Sequence, residues 1–325
     1  MVDVLVLGEV GDDGLEPITS ELIAAGRAIG GRVGAALLGD GLDDAAREAT
    51  ALGPGSVLLA ESPVLDGSST DAYVAAFEQV CRQAEPRTVL VGKTPLGQNV
   101  GPRVASRLGA ALAQDCISVG RDEASGAVFA ERPVYGGNAV AKVAFADGGP
   151  GFIVLRGRTY EAPEPNPSLT ADVVRVDMAV GPSDVRVRRV ESVTQNVEGV
   201  RLEDAPVVVA GGRGLGGPEP FDSLRELADL LGGAVGASRA ACDAGWVEHS
   251  LQVGLTGKSV TPDLYITVGI SGASQHMAGC SGSRNIVVIN RDADANIFRE
   301  ASYGVAGDWQ KVLPAFIEAV RELVS

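Results

Sequence analysis

Histidine is scarce. The chain holds two, His249 and His276, so a three-histidine metal site is excluded within it. Cysteine is nearly as sparse: Cys81, Cys116, Cys242 and Cys280 form no CxxC pair. That argues against a zinc ribbon and against a disulfide framework. The four read as reduced thiols of a cytoplasmic protein. No run reaches the roughly 18 apolar residues of a membrane span; even the Ala/Gly-rich stretch 23–38 is interrupted by Arg27 and Arg32. Positive charge is short as well. There are 27 Lys plus Arg against 42 Asp plus Glu, a net charge of −15. Such a chain is a poor general binder of nucleic acid or of an anionic membrane, since both rely on Lys and Arg. The first eight residues are already strand-like, with no basic or presequence-like segment before them, so the N-terminus reads as native and cytoplasmic.

What is present points to a folded α/β protein. The length of 325 residues suggests two domains, at about 150 residues each. Hydrophobic residues make up 45% and charged residues 21%, enough to bury a core. The 43 glycines imply many tight turns, or backbone brought close to a ligand. Short apolar runs at 4–7, 33–38, 56–59 and 88–91 predict buried strands. Amphipathic stretches at 16–29, 42–51, 70–83 and 97–108 predict helices between them. This alternation implies a parallel sheet covered on both faces. Residues 128–130, 138–145, 152–156 and 173–180 then read as strands with little helix between, an antiparallel extension of the same domain.

Two boundaries compete: a loop carrying Pro163, Pro165 and Pro167, and a polar linker at 191–204. The second is preferred, near residue 200, because a fresh α/β cycle starts at 205–210. It continues with a Gly-rich turn, a helix at 221–231, strands at 234–237, 264–268 and 286–289, and a helix at 308–324.

Three loops of the second half invite chemistry. Gly212-Arg213-Gly214-Leu215-Gly216-Gly217 matches GxGxxG after a strand, and Ser238-Arg239 ends the next strand, where a 2′-phosphate would suit it. An NADP-dependent oxidoreductase is therefore one reading. Against it, Pro218 and Pro220 follow the third glycine, which in that motif already lies in the helix. Gly254 to Ser259 ends like a phosphate loop, but position 252 is Gln and the glycine loop is two residues short. Ser271-Gly272-Ala273-Ser274-Gln275-His276 follows a strand and presents small residues at a strand-to-helix turn; the plainer reading makes Ser271 a helix N-cap. A GxSxG nucleophile turn is absent, because Ala273 stands where its last glycine belongs.

Taken together, an ordered series of motifs resembles a known family. Gly211 to Leu215, Ala234 to Ala241, Gln252-Val253-Gly254, Thr256-Gly257-Lys258, Pro262 to Ile266, Val268 to Ala273, Gln275-His276, Ile289-Asn290 and Ala301 to Val305 follow the C-terminal domain of the electron transfer flavoprotein alpha subunit. The first half resembles it more loosely, through Pro102 to Ala105, residues 110–119 and Val134 to Ala139. The resemblance implies an α/β fold of two domains. Residues 1–196 would form a parallel-sheet, nucleotide-binding-like domain with an antiparallel extension, contacting a beta subunit. Residues 197–325 would form a Rossmann-like FAD-binding domain. It also implies a heterodimer whose beta subunit can hold AMP, and a carrier rather than a substrate-converting enzyme. Such a carrier shuttles electrons through a flavin semiquinone, from flavin dehydrogenases, including those of fatty acid beta-oxidation, to a quinone reductase or another acceptor. A subunit of a flavin-bifurcating complex is the related alternative.

By matching position, the resemblance implies which residues hold the cofactor. Arg213 is the cation beside the isoalloxazine, where it favours added negative charge. His276 sits near the flavin C2 carbonyl with Gln275 beside it, and Thr256 offers its hydroxyl near N5. Val253, Gly254 and Leu255 lead into Thr256. Ser238, Ser271, Gly272, Ala273 and Ser274 contact the FAD, and Asn290, Asp308 and Trp309 hold its ADP part. Asp308 is equally a helix N-cap. The chain departs from the family at Leu255, usually Gln, which leaves that position unable to donate a hydrogen bond to the flavin. It departs again at Ser302, usually Asp, and Ser274, usually aliphatic, which points away from the common fatty-acid dehydrogenases as partners.

Overall fold

The structure, a computed structural model, describes residues 2–65, 69–137, 139–145, 150–187, 191 and 200–324. It divides into two compact units, Met1–Val134 with Val140–Val193, and Tyr135–Ala139 with Thr194–Ser325. The boundary expected at 196/197, and most of the linker expected at 191–204, lie outside the described residues.

The first unit opens with β1 (Val4–Gly8), a small antiparallel hairpin of β2 (Val10–Gly11) and β3 (Gly14–Leu15), and α1 (Pro17–Ile29). It runs on through β4 (Val33–Gly39), α2 (Asp43–Ala51), β5 (Ser56–Glu61), α3 (Thr70–Ala84), β6 (Thr88–Gly92) and α4 (Gly97–Leu108). Then come β7 (Ala111–Cys116), β8 (Ser118–Arg121), β9 (Val128–Val134), β10 (Ala139–Ala144), β11 (Gly151–Leu155) and β12 (Asp172–Arg175). Seven strands form one sheet in the order β12-β5-β4-β1-β6-β11-β7, parallel in register, with Val4 opposite both Val33 and Thr88. Every residue of β1, β4, β6 and β11 is buried, as unbroken apolar runs require when helices cover both faces. Helix α1 starts at Pro17, whose missing N–H costs nothing at that position, and buries Leu22, Ile23, Ala25 and Ile29.

The antiparallel extension is real but smaller than expected. It comprises β10-β9-β8, with Ser118 opposite Glu131. The runs at 152–156 and 173–180 do not belong to it. They supply β11 and β12, which pair in parallel with β6 and β5. The reason is local: no α-helix lies in the connections leading into β11 and β12 among the described residues, so the alternation that signals a parallel strand is missing from the sequence.

The second unit runs β13 (Val207–Gly211), α5 (Pro220–Leu230), β14 (Ala234–Ala237), α6 (Arg239–Asp243) and β15 (Leu264–Val268). It ends with α7 (Ser274–Cys280), β16 (Ile286–Asn290), β17 (Tyr303–Ala306) and α8 (Trp309–Val324). Its sheet order is β14-β13-β15-β16-β17, all parallel. One face packs Phe221, Leu224, Ile266 and Leu313; the other packs Val208, Tyr265, Met277 and Ile297. Each such side chain stabilises the fold by about 1.5–3 kcal/mol when fully buried. The sheet grows one way from β13 to β14 and the other way from β13 to β15. Ligands bind open α/β sheets at the carboxyl ends of the strands flanking such a reversal. No helix among the described residues is long and apolar enough to cross a membrane.

Candidate functional site

A cavity of about 730 Å³ opens at that reversal in the second unit. Its lining comes from the segments that follow β13, β14 and β15, from the end of β16, and from the loop 252–256. The floor is backbone. Gly212 N–H donates to the Val268 carbonyl at 2.9 Å and Gly214 N–H to the Gly269 carbonyl at 3.0 Å. A Cβ on Gly212 would lie 2.3 Å from the Gly269 oxygen, so glycine is required where the two loops touch. After β13 the chain makes a single 3-10 turn, Arg213–Leu215, and α5 begins at Pro220. The third glycine of the GxGxxG match therefore lies outside the helix, and the pyrophosphate geometry of that motif is not formed.

The loop after Ala237 repeats the theme. Val253 N–H donates to the Ala237 carbonyl at 2.9 Å, and Leu255 N–H to the Gln275 carbonyl at 2.7 Å. Gly254, between them, has φ of 146°, which a side chain would strain. This pairing brings Thr256 to the rim of the cavity and leaves Leu255 there 69% exposed. Gln252 is buried and donates its amide N–H to Thr256 Oγ1 at 2.9 Å. The Thr256 hydroxyl proton is thereby left free to donate elsewhere. The segment resembling a phosphate loop continues without a helix, and Lys258 pairs with Glu203.

His276 lies on α7, 7% exposed, and its ring borders the cavity. Its Nε2 is 2.9 Å from the hydroxyl of fully buried Tyr265. Burial pushes the imidazole pKa down to about 4, with the Val253 carbonyl acting weakly the other way, so the ring is neutral at pH 7. The site itself can be tested for a polar ligand. His276 Nδ1 and Ser238 Oγ are buried in the cavity wall with no hydrogen-bond partner among the described residues. Buried polar atoms are seldom left so, and these two fit a ligand that accepts or donates hydrogen bonds. The guanidinium groups of Arg213 and Arg291 border the same space with no ion pair among the described residues, which suits an anionic ligand.

Of the residues expected to hold the cofactor, Arg213, Ser238, Val253, Gly254, Leu255, Thr256, Ser271, Ala273, Gln275, His276 and Asn290 line this one cavity. Asn290 has its amide committed on both sides: it donates to the Ile270 carbonyl at 2.8 Å and accepts from Asp292 N–H at 3.0 Å. Gly272, Ser274, Asp308 and Trp309 are outside the lining. Asp308 precedes α8 and accepts from the Gln310 N–H at 3.1 Å, the helix-capping role foreseen for it. Trp309 packs against the core. Ser271 is not a cap, since α7 starts three residues later with Ala273 at its N-cap. Sequence reasoning missed Gln252 and Arg291 as lining residues; each directly adjoins a residue that was named, and that adjacency was the available signal. Arg239, the cation of the NADP reading, also lines the cavity but is paired with Asp243 at 3.2 Å.

A doubly wound parallel sheet with a glycine-floored, cation-rimmed cavity at its reversal is the architecture of nucleotide-cofactor binding proteins. Comparison with known proteins is more specific. The electron transfer flavoprotein domain family matches residues 4–180, and the electron transfer flavoprotein FAD-binding domain family matches residues 201–281. The chain is 41% identical to the electron transfer flavoprotein subunit alpha of Bacillus subtilis over 322 residues, covering 98% of each chain. It is 40% identical to that of Megasphaera elsdenii over 325 residues, covering 98% of this chain and 96% of the relative. It is 35% identical to the mitochondrial subunit alpha of Arabidopsis thaliana, covering 99% of this chain and 90% of the relative. The chain belongs to the electron transfer flavoprotein alpha subunit family.

Proposed function

We propose that this chain, paired with an electron transfer flavoprotein beta subunit, binds FAD in the second-unit cavity and carries electrons one at a time. The donors are flavin dehydrogenases and the acceptor a quinone reductase or another oxidant, within the cytoplasm. AMP belongs to the beta subunit in this reading. The observation that carries the proposal is the pair of buried atoms without a hydrogen-bond partner among the described residues, Ser238 Oγ and His276 Nδ1, whose residues line a cavity together with Arg213 and Arg291.

Bound FAD would supply the redox chemistry; the chain's residues set its conditions. Thr256, with its oxygen held by Gln252, would offer its hydroxyl proton to the flavin. His276, neutral, would hydrogen-bond a flavin carbonyl without adding a charge. Arg213 would add positive charge where reduction adds negative charge, which would raise the potential of the first electron. Arg291 and Ser238, which line the same cavity, would hold the phosphates. Arg239, the cation of the NADP reading, is paired with Asp243.

Co-expression with the neighbouring candidate beta subunit, followed by stepwise reduction under a visible spectrum, tests this. Yellow protein that passes through a transient red absorbance before bleaching supports a one-electron carrier. Colourless protein that binds NADP(H) overturns it. A flavin potential that changes with the identity of the partner subunit would move the assignment to a bifurcating complex.

A further inference from the structure

Behind His276 lies a buried polar pair that none of the cofactor roles uses. Tyr265 sits in the middle sheet strand β15 with no exposed surface, and its hydroxyl meets His276 Nε2 at 2.9 Å. A neutral imidazole has one N–H and one bare nitrogen, and what the second ring atom can do depends on the first. We propose that Tyr265 is a positioning residue that donates its hydroxyl proton to His276 Nε2, which places the imidazole proton on Nδ1 and makes His276 a hydrogen-bond donor into the cavity.

The direction of the Tyr265 bond follows from its neighbours. The hydroxyl has two candidate acceptors, His276 Nε2 and the sulfur of Cys280. Cys280 directs its own S–H to the His276 carbonyl at 3.5 Å, which leaves only sulfur lone pairs. Thiol sulfur is a weak acceptor, and an imidazole nitrogen is a strong one. A phenol is also a stronger acid than a neutral imidazole N–H, so the better hydrogen bond has Tyr265 as donor. Burial reinforces this, because both groups are neutral and neither can turn to water. Nδ1 is then an N–H that makes no hydrogen bond among the described residues, with the Val253 carbonyl beside the ring as the acceptor a ligand must outcompete. The ligand class it selects is one that presents a carbonyl or anionic oxygen, and it rejects one that presents an N–H there. This rests on the FAD reading only for the name of the ligand; the tautomer belongs to the chain itself.

The chain has two histidines, so nitrogen-15 labelling of histidine gives two resolvable rings. The experiment uses the labelled full chain with unlabelled beta subunit, before and after FAD removal. Expected for His276 is a protonated Nδ1 and an unprotonated Nε2 in both states. In Tyr265→Phe, the Nε2-protonated form should gain population, and FAD affinity should fall about tenfold, the loss expected for one hydrogen bond. An Nε2-protonated His276 in the unsubstituted protein overturns the proposal whatever the variant does. So does Tyr265→Phe with an unchanged tautomer and unchanged affinity. If the complex takes up no FAD while Nδ1 carries the proton, the tautomer assignment stands and the cofactor reading fails.

Discussion

Glu9 offers the sharpest test of the fold. It follows β1 at 7% exposure, in the place where the first unit's sheet reverses direction between β1 and β6. Its Oε1 accepts the Thr94 hydroxyl at 2.6 Å, and its backbone is locked to Thr19. Burial raises its pKa from 4.5 to about 7; Thr94 lowers it somewhat and Glu16 raises it. The folded protein thus keeps a proton that the unfolded chain releases at lower pH, and stability falls as pH rises through that window. A shift of about 2.5 units corresponds to about 3.4 kcal/mol, of which about 2.5 kcal/mol is lost between pH 5 and pH 8. Glu9→Gln keeps the acceptor for Thr94 and removes the ionisation. Urea unfolding at pH 5 and pH 8, wild type against Glu9→Gln, should show the variant gaining about 2.5 kcal/mol relative to wild type at the higher pH. A pH dependence that is the same in both proteins would refute the reasoning, since it would mean that Glu9 is not buried as a neutral acid.

Three further outcomes follow from the cavity. Arg213→Ala should retain FAD and lower the first one-electron potential by tens of millivolts; at about 59 mV per 1.4 kcal/mol, a hydrogen bond to a charged group corresponds to at most roughly 130 mV, and exposure brings it below that. A potential that stays put in spectroelectrochemical titration removes Arg213 from the tuning. Leu255→Gln, at an exposed position, should leave stability within about 0.5 kcal/mol while raising the flavin potential, read in the same titration. Gly212→Ala would place a Cβ 2.3 Å from the Gly269 oxygen. Purified complex carrying it should lose most of its FAD absorbance per chain, and full FAD content would show that the two loops can part without harm.

Legibility in the sequence followed physical cause. The strands 4–7, 33–38, 56–59 and 88–91 were readable because both faces are buried, and an unbroken apolar run is the direct record of that. Helix α4 was readable to its ends, with Gly109 supplying the left-handed stop. What failed was topology: β11 and β12 lack a helix in the lead-in to betray a parallel crossover, so they were read as part of the antiparallel extension. Short elements also escaped. Helix α6 spans five residues and β17 is exposed throughout, so neither leaves a periodic signal. Within the site, the motifs located the glycine loops and His276, whereas the Tyr265–His276 pair was invisible. It joins a strand to a helix 11 residues away, and spacing alone says nothing of a hydroxyl meeting a ring nitrogen.

The two units make the point that architecture alone does not create a cofactor site. Each has a parallel sheet that reverses beside its first strand, and each first strand ends in glycine, Gly8 or Gly211. In the second unit the following residues are Gly212 and Gly269, whose missing side chains let the two loops pack backbone to backbone at the strand ends. In the first unit the same places carry Glu9 after β1 and Lys93 and Thr94 after β6. Glu9 and Thr94 bond to one another, and Lys93 pairs with Asp115. Asp115 sits at a bulge in β7 with φ of 62° and accepts from Arg156 Nε and Nη2, at 2.7 and 2.9 Å. Burial alone would raise the Asp115 pKa, but Arg156 and Lys93 hold it below the usual range. The polar groups there satisfy each other, so they present little for a ligand to complete. In the second unit Ser238 Oγ and His276 Nδ1, both of residues that line the cavity, have no hydrogen-bond partner among the described residues, so that set of strand ends leaves polar atoms for a ligand to complete.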